Sequence, residues 1–241
     1  MALRLALIGY GKMGKAIEEI AISRGHTIDL KITSANLNQF SKTNLDQVDV
    51  AIEFTNPHSA YENVRKCLES GTPVVCGSTG WNERLDELKV FCLNNNGAFI
   101  YSSNFSVGVN IFFEINKKLA ELMAMQSDYE VKIEETHHTQ KKDAPSATAV
   151  TLAEQVLEQL NRKKNWVNKP SNKPEELQVI SHRIDPMPGT HRIVYESDID
   201  SIEIVHTAHN RKGFALGAVV AAEFLAGKKG FFSMKKVLGI N

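Results

Sequence analysis

The chain opens on a compact apolar run, Leu3 to Ile8, of the kind that fills a parallel strand buried on both faces. A glycine cluster follows, then a helical pattern from Lys15 to Arg24 closed by Gly25. Further strand patterns fall at Thr27 to Ile32, Val48 to Phe54, Pro73 to Cys76 and Phe99 to Tyr101. Helical stretches at Ser59 to Glu69 and Trp81 to about Leu93 separate the later ones. Strand and helix in alternation predict an α/β fold, an open Rossmann-like parallel sheet with helices on both faces.

From Val107 the pattern changes. A long helix is expected to Met125, with Val109, Phe112, Ile115, Leu119, Leu122 and Met123 on or near its buried face. Tyr129, Val131 and Ile133 then alternate with Glu130, Lys132 and Glu134, the period of a half-buried strand. Helical spacing returns at Ala149, Leu152, Ala153, Val156 and Leu160. Asn161 to Glu176 is polar, carries two prolines, and reads as an exposed loop whose five lysines and arginines are solvated. Three strands come next with no helix between them: Leu177 to Ile184, Thr190 to Glu196 and Ser201 to Thr207. Such a run predicts a smaller α+β domain with a mixed sheet. Gly213 to Ala226 is apolar all round and should pack back into the first domain, leaving Gly230 to Met234 as a short tail. The expected domains are 1–106 with 212–241, and 107–211.

Composition narrows the function. Lys plus Arg and Asp plus Glu both number 28, so no overall charge favours nucleic acid or a membrane surface. Cys67, Cys76 and Cys92 form no zinc pattern and no paired framework, so no metal is expected, and a reducing cytoplasm suits them. Met1 runs directly into a strand, which does not read as a signal peptide, and no apolar run is long enough to span a bilayer.

Two stretches carry chemistry. Gly9-Tyr10-Gly11-Lys12-Met13-Gly14 is GxGxxG between a strand and a helix. There the first glycine allows a tight turn, the second lets a pyrophosphate approach the backbone, and the third lets helix and strand pack closely. The bland alternative is a glycine turn with no ligand. NAD-binding folds commonly end the second strand on an acid; here it ends Ile32-Thr33-Ser34. With Lys31 or Lys42 within reach, Thr33 leaves room for a 2′-phosphate, hence NADPH, or loose use of NADH as well. A second glycine loop, Gly77-Ser78-Thr79-Gly80, opens at the carboxyl end of another strand. The other stretch runs Glu134-Glu135-Thr136-His137-His138-Thr139-Gln140-Lys141-Lys142-Asp143-Ala144-Pro145-Ser146-Ala147-Thr148-Ala149. It reads as strand, basic loop and helix N-terminus, with Asp143 as N-cap and Pro145 in the first turn. Cationic side chains beside unpaired N–H groups suit a carboxylate ligand. A solvated basic loop is the plain alternative. His191, His206 and His209 fit structural or surface roles at least as well, Lys117 and Lys142 read as solvated, and Arg211 fits phosphate binding, domain bridging or helix capping.

Taken in order, these motifs resemble the dihydrodipicolinate reductase family. The strongest element is Glu135-Thr136-His137-His138 through Lys141 to Asp143-Ala144-Pro145-Ser146-Ala147-Thr148-Ala149. Glu53-Phe54-Thr55-Asn56-Pro57, Asn104-Phe105-Ser106-Val107-Gly108-Val109-Asn110, Ser181-x-Arg183, His206-x-Ala208 and Arg211 also fall in family order. The resemblance implies that Gly9 to Gly14 hold a pyrophosphate, and that Gly77, Ser78 and Thr79 with Ser102, Ser103, Asn104 and Phe105 line a nicotinamide. It implies a cyclic imine substrate with two carboxylates, lying between the domains against the His-His loop. His138, Lys141 and the N–H groups near Ser146, Ala147 and Thr148 would clamp one carboxylate. His137 is then the candidate acid/base, with Lys141 as the alternative proton donor. A homotetramer built through the second domain is implied as well. Two departures stand out. The family's glycine is Ala147 here, which would be costly at positive φ, and Ser181-His182-Arg183-Ile184-Asp185 lacks the family's following glycine, so that loop must differ.

Overall fold

The computed structural model describes residues 1–210 and 212–240; Arg211, singled out above, lies outside them. In chain order the elements are β1 (Arg4–Ile8), α1 (Lys12–Ser23), β2 (Thr27–Ile32), α2 (Lys42–Leu45), β3 (Val50–Glu53), α3 (Pro57–Glu69), β4 (Val74–Cys76), α4 (Leu85–Asn94) and β5 (Ala98–Tyr101). Then come α5 (Val107–Met123), β6 (Glu130–His137), α6 (Ala147–Gln159), β7 (Asn165–Val167), β8 (Glu176–Arg183), β9 (Gly189–Glu196) and β10 (Ser201–Ala208). The chain closes with α7 (Lys212–Leu225), β11 (Gly230–Phe232) and α8 (Met234–Val237). Two units result, Met1–Val107 with Lys212–Asn241, and Gly108–Arg211. No helix among the described residues is long and apolar enough to cross a membrane.

Unit 1 is a six-stranded sheet in the order β11-β5-β4-β3-β1-β2, every pair parallel. The apolar run of β1 has the two faces its sequence demands. Leu5 and Leu7 pack with Ile17 and Ala21 of α1 and with Ala215, Ala218 and Ala222 of α7. Ala6 and Ile8 pack with Ala60 and Val64 of α3 and with Leu88 and Cys92 of α4. Thus α7 does return to the parallel sheet of the first unit. The stretch expected only as a short tail supplies a sixth strand, because the three residues of β11 pair with Ala98, Phe99 and Ile100. Strand order reverses at β1, which has β2 on one side and β3 on the other; open α/β sheets bind ligands at such a point.

Unit 2 is a five-stranded mixed sheet, β10-β9-β6-β8-β7, with α6 packed on one face. β6 runs parallel to β8 and antiparallel to β9. Three expectations are corrected here. The polar stretch after α6 contains β7, and two of its basic side chains are not solvated. Lys163 is 4% exposed and donates to Glu130 (2.6 Å) and the Pro174 carbonyl (2.7 Å). Arg162 donates to the carbonyls of Met123, Ala124 and Tyr129. In α5, Val109, Phe112, Ala120 and Met123 are buried, whereas Ile115 and Leu122 face outward. Finally, Asp143 does not cap α6. Ser146 does, its Oγ accepting from Ala149 N at 3.2 Å, and Pro145 precedes the helix.

Candidate active site

In unit 1 the glycines divide by what they make room for. At Gly9 φ is +93°, and an added Cβ would lie 2.2 Å from the Phe54 carbonyl oxygen. At Gly14 a Cβ would sit 2.4 Å from Gly9 O, so this glycine lets α1 press onto the turn. At Gly11 a Cβ would meet nothing within 4 Å. That space is free of protein, as a phosphate cradle at a helix start requires. The helix begins at Lys12, inside the motif, and Gly11 is its N-cap with no side-chain bond. The residues present therefore fit a dinucleotide.

Two cavities open beside this turn. One, of about 480 Å³, is lined by Gly11, Lys12 and Met13, by Phe54 to Pro57, and by Gly77, Ser78 and Thr79. The other, of about 500 Å³, takes in Gly9, Tyr10, Gly11, Thr33, Ser34, Leu37 and Phe54. Phe54 lines both, and its ring lies where a Gly77 side chain would go. Its position at the carboxyl end of β3 was the signal that could have marked it as a ligand contact. Ser102 to Phe105 do not line these cavities. Ser102 Oγ donates to the Asn104 carbonyl (2.7 Å), Asn104 Oδ1 accepts from Ser106 N (2.9 Å), and Ser103 is exposed. Phe105 is a core residue 5.7 Å from the Phe54 ring, so it backs the pocket wall from beneath. At the end of β2, Thr33 Oγ1 donates to Asn36 Oδ1 (2.9 Å). The lysines expected to help are engaged: Lys31 pairs with Glu18 (2.6 Å), which also accepts from Tyr10, and Lys42 pairs with Asp46 (3.4 Å).

In unit 2 the buried face of β6 reads Val131, Ile133, Glu135, His137. Its apolar period turns to an acid and an imidazole as the strand approaches the basic loop. Glu135 is fully buried. Ser146 N–H donates to both of its oxygens (3.0 and 3.1 Å), and Ser181 Oγ (2.8 Å) and Arg183 Nη2 (3.2 Å) donate to Oε1. Burial alone would raise this carboxyl. Hydrogen bonds from His191, Ser146 and Ser181 outweigh it and hold the group well below the usual carboxylate range. His191 Nε2 stands 3.1 Å from Ser146 Oγ and 3.6 Å from Glu135 Oε2. His137 is 7% exposed; its Nδ1 faces Glu135 Oε2 at 3.5 Å with no hydrogen bond of its own, and its Nε2 lies against Gly189. Burial pushes its imidazole down to about 4, against the opposing pull of Glu135. Glu135, His137 and His191 could together surround a cation. The Arg183 guanidinium and three other hydrogen-bond contacts already occupy that carboxylate, and a divalent ion there would face a fixed positive charge.

The loop itself is tied down. Arg183 donates to the carbonyls of Lys141 (3.2 Å) and Asp143 (2.5 Å). Asp185, where the family motif carries no acid, accepts from Thr139 N (3.2 Å) and Thr139 Oγ1 (2.6 Å). Lys141 N donates to the His138 carbonyl (3.1 Å), and Lys141 Nζ reaches Asp143 at 2.9 Å. Ser146 spends its N–H and hydroxyl internally, so it holds the helix start in place. Ala147 and Thr148 form the exposed and half-exposed first turn. The strain feared at Ala147 is absent, since Asn96 is the one described non-glycine with positive φ.

Comparison with known proteins gives the same picture over the whole chain. The family models "Dihydrodipicolinate reductase, N-terminus" and "C-terminus" match residues 3–105 and 108–238. A 4-hydroxy-tetrahydrodipicolinate reductase of Christiangramia forsetii is 48% identical over 240 residues, 98% of each chain. That of Thermosipho africanus is 32% identical over 239 residues, again 98% of each. The solved dipicolinate-bound dihydrodipicolinate reductase from Paenisporosarcina sp. TG-14 shares the fold, with a TM-score of 0.78 at 22% identity, covering 97% of this chain and 98% of that one. The chain belongs to the 4-hydroxy-tetrahydrodipicolinate reductase family and is an oxidoreductase that reduces 4-hydroxy-tetrahydrodipicolinate to tetrahydrodipicolinate with loss of water, a step of diaminopimelate and lysine synthesis.

Proposed function

We propose that the reductase works with NADPH in preference to NADH, that Lys141 supplies the proton, and that His137 acts as a neutral imidazole. The observation that carries this reading is the buried His137, held at about 4 and so uncharged near neutrality. A proton donor must carry its proton at working pH. Lys141, whose Nζ lies 2.9 Å from Asp143, is the other proton-bearing side chain on the same loop. His138 and Lys141, with the first turn of α6 at Ala147 and Thr148, would take a substrate carboxylate. Gly9, Gly11 and Gly14, with Tyr10, Lys12, Met13, Phe54 and Ser78, would hold the nucleotide, which supplies the hydride. The cofactor preference draws support from the ribose end. Ile32, Thr33, Ser34 and Leu37 line the cavity there without a carboxylate to accept from a free 2′-hydroxyl. Self-association of unit 2 as a homotetramer is supported by apolar side chains left outward, Ile202 and Val205 on edge strand β10 and Ile111, Ile115 and Leu122 on α5.

The test is turnover with freshly generated substrate. Lys141→Ala should lose at least a hundredfold in kcat, keep nucleotide affinity, and regain activity with added alkylamine. Rescue of His137→Ala by imidazole, with no amine rescue of Lys141→Ala, would reverse the two roles. Equal or better efficiency with NADH would remove the cofactor preference.

A further inference from the structure

The chemistry above does not use Glu135, yet its carboxylate gathers the substrate loop. It bonds Ser146, where the loop ends, and Ser181 and Arg183 of β8, and it lies 3.5 Å from Nδ1 of His137, where the loop begins. Through Arg183 the network reaches the carbonyls of Lys141 and Asp143. A buried charge is a weak device for stability alone, because its desolvation cost rivals what its partners return. Val131 and Ile133 on the same face show what this sheet uses where only packing is needed. An acid two residues before His137 therefore calls for another reason.

We propose that Glu135 is the positioning residue of the substrate loop, fixing His137 and Lys141 through Ser146, Ser181, Arg183 and His191. This inference rests on the catalytic reading of the loop given above. Glu135 Oε2 faces His137 Nδ1 across 3.5 Å without a hydrogen bond, so the carboxylate acts on the ring by its charge and by holding the loop around it. The charged and titratable groups facing His137 are Glu135, His191, Lys141 and Arg183, and Glu135 alone among them favours its protonated form.

The experiment compares the full-length protein with Glu135→Gln and Ser181→Ala. The amide keeps the shape but loses the charge and one acceptor. For Glu135→Gln, kcat should fall at least tenfold and affinity for pyridine-2,6-dicarboxylate, measured by calorimetry, should weaken severalfold, while NADPH affinity stays unchanged. The His137 ring, followed by NMR, should titrate lower than in the parent, a shift that a purely structural acid in unit 2 would not single out. Ser181→Ala keeps the charge and removes one donor, so it should lower kcat about threefold and decides the matter if the amide variant does not fold. Wild-type kcat in Ser181→Ala and an unmoved His137 titration in Glu135→Gln would overturn the proposal. If the parent fails to turn over the reductase substrate, the catalytic reading falls, and the dicarboxylate and NMR arms still decide the role of Glu135.

Discussion

The three glycines of the first turn make a prediction that separates space needed by the protein from space needed by the ligand. A methyl group at Gly14 would sit 2.4 Å from a backbone oxygen, which cannot swing aside as a side-chain tip can. Overpacking of this kind costs about 1–3 kcal/mol, and alanine's helix preference offsets up to about 1. Gly14→Ala should thus lose about 1–2 kcal/mol without any nucleotide present. A methyl at Gly11 meets no atom, and φ there is −86°, so the loss is confined to the N-cap, about 1 kcal/mol or less. With nucleotide the order reverses. At a ligand concentration about 100 times Kd, binding stabilises the parent by about 2.7 kcal/mol. If Gly11→Ala weakens binding about tenfold, the same concentration yields only about 1.4 kcal/mol. Thermal melts with and without NADPH read this as a shift smaller by about 3–5 °C at about 2–4 °C per kcal/mol. Calorimetry supplies Kd directly. A Gly11→Ala protein with the parent's full nucleotide-induced shift would refute the placing of phosphate against this turn.

Three further outcomes follow from the second unit. His137 falls from 6.5 to about 4 on folding, so the unfolded chain takes up the proton first, and stability should drop as pH falls from about 6.5 to 4, then level off. That lowering bounds the loss at about 3 kcal/mol; urea unfolding at pH 7 and 4.5 should show it in the parent and not in His137→Asn. Ser146→Ala removes the cap of α6 and the partner of His191, and should cost about 1–2 kcal/mol in urea with the fold retained. Gly189→Ala places a methyl 3.0 Å from His137 Nε2 and should reduce kcat while nucleotide affinity holds; unchanged kinetics would mean the ring moves aside freely.

Much of this molecule was legible in its sequence because burial leaves a period. The apolar run of β1 and the alternation of β6 each gave element and face together. What stayed hidden depended on partners distant in the chain. β11 is three residues long and shows its nature only by pairing with β5. Lys31 looked available for a phosphate until Glu18, a turn and a half into α1, claimed it. Asp143 and Pro145 mimic a helix start, yet the Asp143 side chain is drawn to Lys141 and the serine after the proline makes the cap. In α5 the apolar residues spread beyond the face that Val109, Phe112, Ala120 and Met123 bury, and Ile115 and Leu122 turn outward. The His-His loop was found by its residue types. The carboxylate beneath it was visible only as one more acid in an alternating strand.

The return of the chain to unit 1 sets the order in which that unit can be assembled during synthesis. Leu5 and Leu7 are made some two hundred residues before Ala215, Ala218 and Ala222, and wait for them before their side of the sheet is covered. The edge beside β5 waits for Gly230–Phe232. Unit 2 lies between these segments as one continuous stretch and can close on itself while the first half of the nucleotide sheet still lacks a helix. A nascent chain stalled before α7 therefore presents an open apolar face to chaperones and proteases. The emergence of α7 and β11, more than any earlier helix or strand, marks the moment unit 1 can close.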